Sequence, residues 1–410
     1  MSELRLLAAV RRDGATVSLR RHADRYGPLP EARADELPAL LATAGLTGRG
    51  GGAFPAGAKL ESVMSGRRRP IVLANGAEGE PVSSKDKVLL AYVPHLVLDG
   101  AVLAARAVGA REAIVATTPA VASTVARAVA ERRDSVRVRV VPVPDRFVTG
   151  EETALVNFLN GGPALPTFTP PRPFERGVDG APTAVFNVET LANIALIARY
   201  GAPWFRSVGT AAEPGTVLVT LAGAIARPGV YEVALGSPFA DLLGLAGGPS
   251  EELAALLVGG YFGAWIGAEE AASARLANAD LSRFRSALGA RAVVALPRNA
   301  CGIAETARVA RYLAHESAGQ CGPCVYGLAA IADNLERLTR GEARRDEAAL
   351  LRRRLGQVAG RGACRHPDGA VALVASALRV FTHELDRHNA GHRCTTARRG
   401  YLPIPTRAAA

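Results

Sequence analysis

Residues 71–87 read IVLANGAEGEPVSSKDK. An apolar run, IVLAN, passes directly into a polar loop holding Asn75, Glu78 and Glu80. This is the pattern of a strand's carboxyl end, where α/β sheets place their ligands. An asparagine can pair with the amide-like edge of a heterocycle, and carboxylates can take ribose or ribityl hydroxyls. A capped turn accounts for the same residues without any ligand. Lys85 and Lys87 follow at once. They matter because the chain has 49 basic residues, of which all but Lys59, Lys85 and Lys87 are arginine. Lysines kept against that bias suit places that need a compact point charge.

The third lysine ends the stretch GLTGRGGGAFPAGAKL, residues 45–60. A helical pattern, LPALLATAG, precedes it, and AKLESVMS continues as a helix. Glycines at 48, 50, 51 and 52 free the backbone to expose its N–H groups, and such a loop before a helix is an anion cradle. It is not a Walker A loop, because Ala58 displaces Lys59 by one position and Leu60 stands where a Ser or Thr would be needed. Gly48, Gly50 and Ala53 fit G-x-G-x-x-A loosely, but a helix rather than a strand comes first. A plain flexible loop is the alternative. Further on, FVTGEETALVNFLNG sets Gly150, Glu151 and Glu152 at a loop-to-helix junction. Two glutamates in a first turn also simply favour the helix dipole. PTAVFNVETLANI sets Asn187 and Thr190 after another apolar run, where an ordinary helix cap fits as well.

The 410 residues suffice for two to four domains with proper cores, and 49% hydrophobic with 21% charged residues is ordinary for a globular chain. The net charge of +11 comes from scattered residues and short runs such as Arg352–Arg354, without a nucleic-acid motif, so no nucleic-acid partner is expected. An acidic redox protein suits the basic surface better. The opening MSELRLLAAVRRDG is charged too soon for an export signal, and no stretch reads as a membrane span. Five cysteines, an odd number with one C-x2-C pair, fit a reducing cytoplasm.

In order along the chain, GLTGRGGGAFPAGAKL, NGAEGEPVSSKDK, GEETALVNFLNG and FNVETLAN resemble motifs of the flavoprotein subunit of respiratory complex I. That family oxidises NADH, and its module also occurs in NAD-linked hydrogenases and formate dehydrogenases. The resemblance implies FMN bound by Gly48, Gly50, Lys59, Asn75, Glu78, Gly150, Glu151, Glu152, Asn187 and Thr190. It implies NADH stacking near Phe54, with Glu80 and Glu152 close to its nicotinamide or ribose, and Phe174 of PPRPF near its adenine. Hydride transfer in such a stack is mostly positioning chemistry. The chain departs from the family at three of these places: Ala77 replaces an aspartate, Ser62 replaces a second aromatic, and Phe186 replaces an asparagine.

From about residue 209, short β-like runs alternate with Gly and Pro turns, as a small α+β module requires. The stretch RPGVYEV resembles the ubiquitin-like β-grasp domain called SLBB, which follows the flavin domain in the same family; a spacer role is expected for it. From about residue 293, AETARVARYLAHES, VYGLAAIADNLERLTR, AALLRRRLGQVAG and GAVALVASALRVFTHELDRH carry helical periodicity and suggest a four-helix bundle. The expected architecture is therefore an α/β FMN/NADH-binding domain (1–208), a β-grasp α+β domain (209–292) and an all-α bundle (293–410).

In the family this bundle holds a [4Fe–4S] cluster through C-x2-C-x2-C and a cysteine about forty residues later. The matches are Cys321, Cys324 and Cys364, but Ala318 occupies the first position. A C-x2-C pair alone also fits zinc or a helix cap. With straight helices at about 1.5 Å per residue, Cys301 falls roughly 20 Å or more from Cys321, and Cys394 lies beyond the far end of the last helix. Neither is expected to complete the site, which leaves Ser317, His315, water or a partner's ligand. His366 reads as a donor beside the cluster or a surface residue.

The expected function is a redox subunit. It passes hydride from NAD(P)H to FMN, then single electrons to an iron–sulfur cluster and an acceptor. That acceptor would be a ferredoxin-like or complex-I-type protein within a hetero-complex. The substitutions at 62, 77, 186 and 318 keep two alternatives open: a degenerate binding scaffold, or an FMN protein fed by reduced ferredoxin.

Overall fold

Strand β1 (Ile71–Gly76) lies inside a four-stranded sheet with β2 (Glu112–Thr117), β3 (Arg137–Pro142) and β4 (Thr183–Asn187), in the order β3-β2-β1-β4. Every pairing is parallel, with Leu73 opposite Ile114 on one side and Val185 on the other. The computed structural model describes residues 4–11, 13–30, 36–66, 68–395 and 400–405. These form two compact units. The first runs to Gly79 and adds Ser84–Leu218 and Glu232–Gly236; the second holds Glu80–Ser83, Val219–Tyr231 and the chain from Ser237.

Parallel strands need crossovers, and helices supply them in the first unit. Helices α1 (Leu19–Tyr26), α2 (Leu37–Ala44) and α3 (Ala56–Met64) precede β1. Helices α4 (Lys85–Tyr92) and α5 (Pro94–Ala107) link β1 to β2, α6 (Pro119–Ala130) links β2 to β3, α7 (Glu152–Leu159) precedes β4, and α8 (Val188–Arg206) follows it. Helix α2 starts with Pro38 in its first turn and stops at Gly45, which takes the left-handed conformation. Helix α5 is buried almost all round. It packs against α8 at Gly100, where a Cβ would fall 1.9 Å from the Leu191 carbonyl oxygen, so only glycine permits that approach. Among the described residues no single helix is long and apolar enough to cross a membrane; α4 and α5 pass such a test only as a pair bent by 96°.

The second unit contains most of a mixed five-stranded sheet: β5 (Thr216–Gly223), β6 (Gly229–Ala234), β7 (Leu253–Val258), β8 (Ala264–Gly267) and β9 (Ala292–Pro297), ordered β6-β5-β9-β7-β8. Strands β5 and β9 are parallel, whereas β7 runs antiparallel to both β8 and β9. Helix α9 (Phe239–Leu245) follows β6, and two short helices, α10 (Ala268–Ala272) and α11 (Asn278–Leu281), follow β8. Then come α12 (Gly302–His315), α13 (Leu328–Arg340), α14 (Glu347–Val358), α15 (His366–Val380) and α16 (Thr382–Asn389). Buried Trp265 of β8 donates its indole N–H to Thr306 of α12 (3.0 Å), and its backbone N–H donates to Ser376 Oγ of α15 (2.9 Å).

The helical region differs from the expected four helices in one respect. GAVALVASALRVFTHELDRH is not one helix but two, because Phe381 leaves helical geometry at φ −104°, ψ 45°. Its ring turns into the core edge-on to Trp265, 5.1 Å between centroids, and fills the space beside Gly302. Burying that ring outweighs the broken helical turn.

Candidate functional site

In an open parallel sheet, ligands bind outside the carboxyl ends of the strands where the winding reverses. Here the chain winds outward through β1, β2 and β3 and then returns to β4 on the other side of β1. The reversal therefore lies between β1 and β4, whose last residues bring Asn75 opposite Asn187.

The expected residues come to that crevice from four segments. Asn75 donates its side-chain N–H to the Gly150 carbonyl (2.9 Å) and accepts from Ala77 N–H (3.1 Å), which ties the end of β1 to the GEET loop. Glu78 accepts the backbone N–H groups of Asp86 and Lys87, at 3.2 and 3.0 Å, and so shapes the start of α4. The glycine loop leans on the start of α8. Arg49 N–H donates to Thr190 Oγ1 at 2.8 Å, and a Cβ on Gly50 would meet Asn187 Cβ at 3.1 Å. The loop itself is closed by Gly48 N–H donating to the Phe54 carbonyl at 2.8 Å. Lys59 spans the opening. Its ammonium donates to the Val185 carbonyl (3.0 Å), sits 3.6 Å from Glu152, and lies 5.9 Å from the Phe54 ring centroid. Phe54 is 53% exposed, an unfavourable state for a phenyl ring unless something stacks on it.

Both plain readings of the caps hold as well. Glu151 is the N-cap of α7, accepting from Thr153 and Ala154, and Asn187 is the N-cap of α8, accepting from Glu189. Glu80 belongs to the second unit, where its carboxylate accepts Tyr261 N–H at 2.8 Å. Phe174 stands 38% exposed in the loop before β4. The three departures are explained locally. Ala77 joins the core with Leu73 and Ile114, Phe186 is buried with its ring 6.0 Å from the Lys59 ammonium, and Ser62 Oγ donates back to the Lys59 carbonyl.

Sequence reasoning missed the charged floor of the crevice. Lys85 is buried, 2.7 Å from Asp86 Oδ1, 3.0 Å from Glu189 Oε2 and 3.3 Å from Asn187 Oδ1. Asn187 Nδ2 also donates to Asp86 at 2.7 Å. Burial pushes the Asp86 carboxyl up to about 6; Lys85 opposes this, and Glu78 and Glu189 add to it. The scarcity of lysine was the signal that pointed to Lys85, but its partners are as far away as residue 189.

The residues fit a phosphate-bearing flavin. Exposed backbone at Gly50–Ala53, the N-terminus of α8 and the Lys59 ammonium make an anion-binding set, and the missing Cβ at Gly50 keeps loop and helix close. In the second unit Cys321 and Cys324 hydrogen-bond to each other, and the charge of Cys364 acts on Cys324. Cys324 sits in a single π-helical turn, Pro323–Gly327, ahead of α13, a feature common at functional sites. Burial raises both thiols of the C-x2-C pair. Hydrogen bonds with the Ala363 backbone and with Cys324 nevertheless bring Cys321 below its ordinary value, while burial and the charges of Cys321 and Cys364 push Cys324 up to about 12. A hydrogen-bonded C-x2-C pair with a third cysteine acting on it would suit an iron–sulfur group with one ligand that is not cysteine. His366 is neither a surface residue nor beside open solvent: it is buried, its Nε2 2.7 Å from the Leu313 carbonyl and its ring edge-on to Phe262.

Comparisons with known proteins agree with this layout. Residues 41–196 match the Nuo51 FMN-binding domain, residues 218–260 the SLBB domain, and residues 304–388 the NADH-ubiquinone oxidoreductase-F iron–sulfur binding region. The NADH-quinone oxidoreductase F subunit 2 of Rhizobium meliloti (strain 1021) is 30% identical over 95% of this chain and 96% of its own length. The corresponding F subunit of Streptomyces coelicolor is 30% identical over 92% of this chain and 89% of its own. The crystal structure of an NAD+-reducing [NiFe]-hydrogenase in the air-oxidized state superposes with a TM-score of 0.80 at 30% identity over 90% of this chain; the chain spans 64% of that hydrogenase chain. The chain belongs to the family of NADH-quinone oxidoreductase F subunits, with an FMN-binding domain, an SLBB domain and an iron–sulfur binding region in that order.

Proposed function

We propose that this chain is the NADH-oxidising flavoprotein subunit of a multisubunit redox complex, delivering electrons to a ferredoxin-like or complex-I-type protein. The observation that carries this reading is the crevice between β1 and β4. There Lys59, Asn75, Gly50, Asn187 and Thr190 meet at the sheet's reversal point. Bound FMN would supply the conversion from two-electron to one-electron chemistry. The glycine loop and the α8 N-terminus would hold its phosphate. Asn75, Glu78, Gly150 and Glu151 would face its ring and ribityl chain, and exposed Phe54 and Phe174, with Glu152, would receive the dinucleotide. Cys321, Cys324 and Cys364 would hold the cluster, with Ser317, His315, water or a partner supplying the remaining position.

The proposed division is 1–208 for the flavin domain, 209–292 for the SLBB domain and 293–410 for the iron–sulfur bundle. A β-grasp fold for the middle part is supported by its sheet, in which the first and last strands, β5 and β9, lie parallel at the centre. We place the protein in the cytoplasm, consistent with five cysteines and no disulfide among the described residues.

The test is the visible absorption spectrum of anaerobically purified protein before and after NADH. Flavin bands on an iron–sulfur shoulder, both bleaching, are expected. Flavin that stays oxidised with NADH but bleaches with reduced ferredoxin would reassign the donor. A protein that stays colourless after reconstitution with FMN, iron and sulfide would overturn the redox reading.

A further inference from the structure

A second group of soft ligands lies apart from the three cysteines discussed above. One donor atom each of Cys301, His388 and Cys394 falls within 4.8 Å of the others. The three come from separate parts of the helical region: Cys301 is the N-cap of α12, His388 is in the last turn of α16, and Cys394 follows that helix. Cys301 and His388 are buried. The match to the iron–sulfur region spans residues 304–388, so both cysteines lie outside it.

The histidine is oriented as a ligand. Its Nδ1 is 2.8 Å from the His392 carbonyl oxygen, which can only accept, so Nδ1 carries the proton. Nε2 then presents its lone pair 3.3 Å from Cys301 Sγ. A backbone carbonyl on the far nitrogen is the usual way a metal-binding imidazole is fixed in tautomer and direction. Cys394 is fixed too, its backbone N–H donating to the Thr339 carbonyl of α13 at 2.8 Å. Two thiols and an imidazole suit zinc and not the oxygen-seeking magnesium or calcium.

We propose that Cys301, His388 and Cys394 bind a zinc ion, distinct from the cluster at Cys321, Cys324 and Cys364. Each thiol gives up its proton to solvent on binding. Water takes the fourth position, or the Glu384 carboxylate does; Glu384 lies one turn before His388 on α16, and its charge reaches Cys301. The ion would clamp the start of α12, the end of α16 and the segment beyond it.

The experiment uses the full chain, stripped with chelator and titrated with Co(II) alone, alongside zinc counted in the untreated protein. Expected are one zinc per chain, a tetrahedral cobalt–thiolate spectrum and a higher melting temperature when zinc is returned. Cys394→Ser, outside any helix, should lose the spectrum, as should His388→Gln, while the Cys321→Ser/Cys324→Ser double variant should keep it. Absence of metal uptake by the unmutated chain, a spectrum that survives Cys394→Ser, or one abolished by the double variant would each overturn the proposal. So would a Cys301–Cys394 disulfide found by mass spectrometry in protein prepared under reducing conditions.

Discussion

Lys85 Nζ lies 3.0 Å from Glu189 Oε2, and both side chains are buried beneath the crevice where β1 and β4 end. The ammonium faces two buried carboxylates, those of Asp86 and Glu189, and buried Glu78 joins the same hydrogen-bonded set, which reaches Asn187, by accepting the Asp86 backbone N–H. Removing one partner of a buried ion pair strands the other charge. Lys85→Met is therefore expected to destabilise the protein by about 3–5 kcal/mol, measured by urea denaturation. A loss below about 1 kcal/mol, the size of an exposed pair, would show that the set is hydrated.

The same set gives a pH dependence. The Asp86 carboxyl is raised from 3.8 to about 6 in the folded chain, so between those values the folded state holds a proton that the unfolded state has released. That contribution to stability is complete below pH 3.8 and is lost as pH rises through about 6, at about 1.4 kcal/mol for each pH unit crossed. Asp86→Asn should flatten that limb of the stability profile. An unchanged slope would assign the proton to another group.

Among Gly48, Gly50 and Gly52, Gly50 is expected to be the position with least room for a side chain. Its Cβ would press on Asn187, the cap of α8, at 3.1 Å. Gly50→Val should weaken FMN binding by tenfold or more, about 1.4 kcal/mol, in a flavin-fluorescence titration, while the melting temperature moves little. Equal affinity would separate the loop from the flavin site.

Phe54 tests the dinucleotide side. Because it is 53% exposed, Phe54→Ala should leave stability within about 0.5 kcal/mol of the parent. It should raise the KM for NADH severalfold with FMN content unchanged. An unaltered KM would remove Phe54 from the nicotinamide-binding surface.

Ala318→Cys supplies the thiolate missing from the C-x2-C-x2-C run. It should raise iron and sulfide per chain and slow the loss of the iron–sulfur absorption in air. Iron content unchanged by the substitution would show that the fourth position is already filled by another ligand.

Much of this was legible from residue spacing. Apolar runs and glycine turns are local signals, so β1, the helix caps at Glu151 and Asn187, and the helical region beyond residue 300 could be read directly. Helix α16 escaped, since its separation from α15 depends on where the Phe381 ring finds a partner. Lys85 drew notice by its rarity, yet its counter-charge at Glu189 could not be found from spacing.

The cysteines mark the boundary between the two kinds of information most clearly. Cys321, Cys324 and Cys364 announce themselves by separation along the chain, and in the fold Cys321 and Cys364 both act on Cys324. Cys301 and Cys394 looked like strays at opposite ends of long helices, but the fold returns α16 beside the start of α12 and joins them through His388. Periodicity and caps are set within a few residues by backbone geometry and hydrogen bonding. Which distant charges and thiols meet is set by how the helices and strands bury their apolar faces, a property of the packed molecule and not of any one segment.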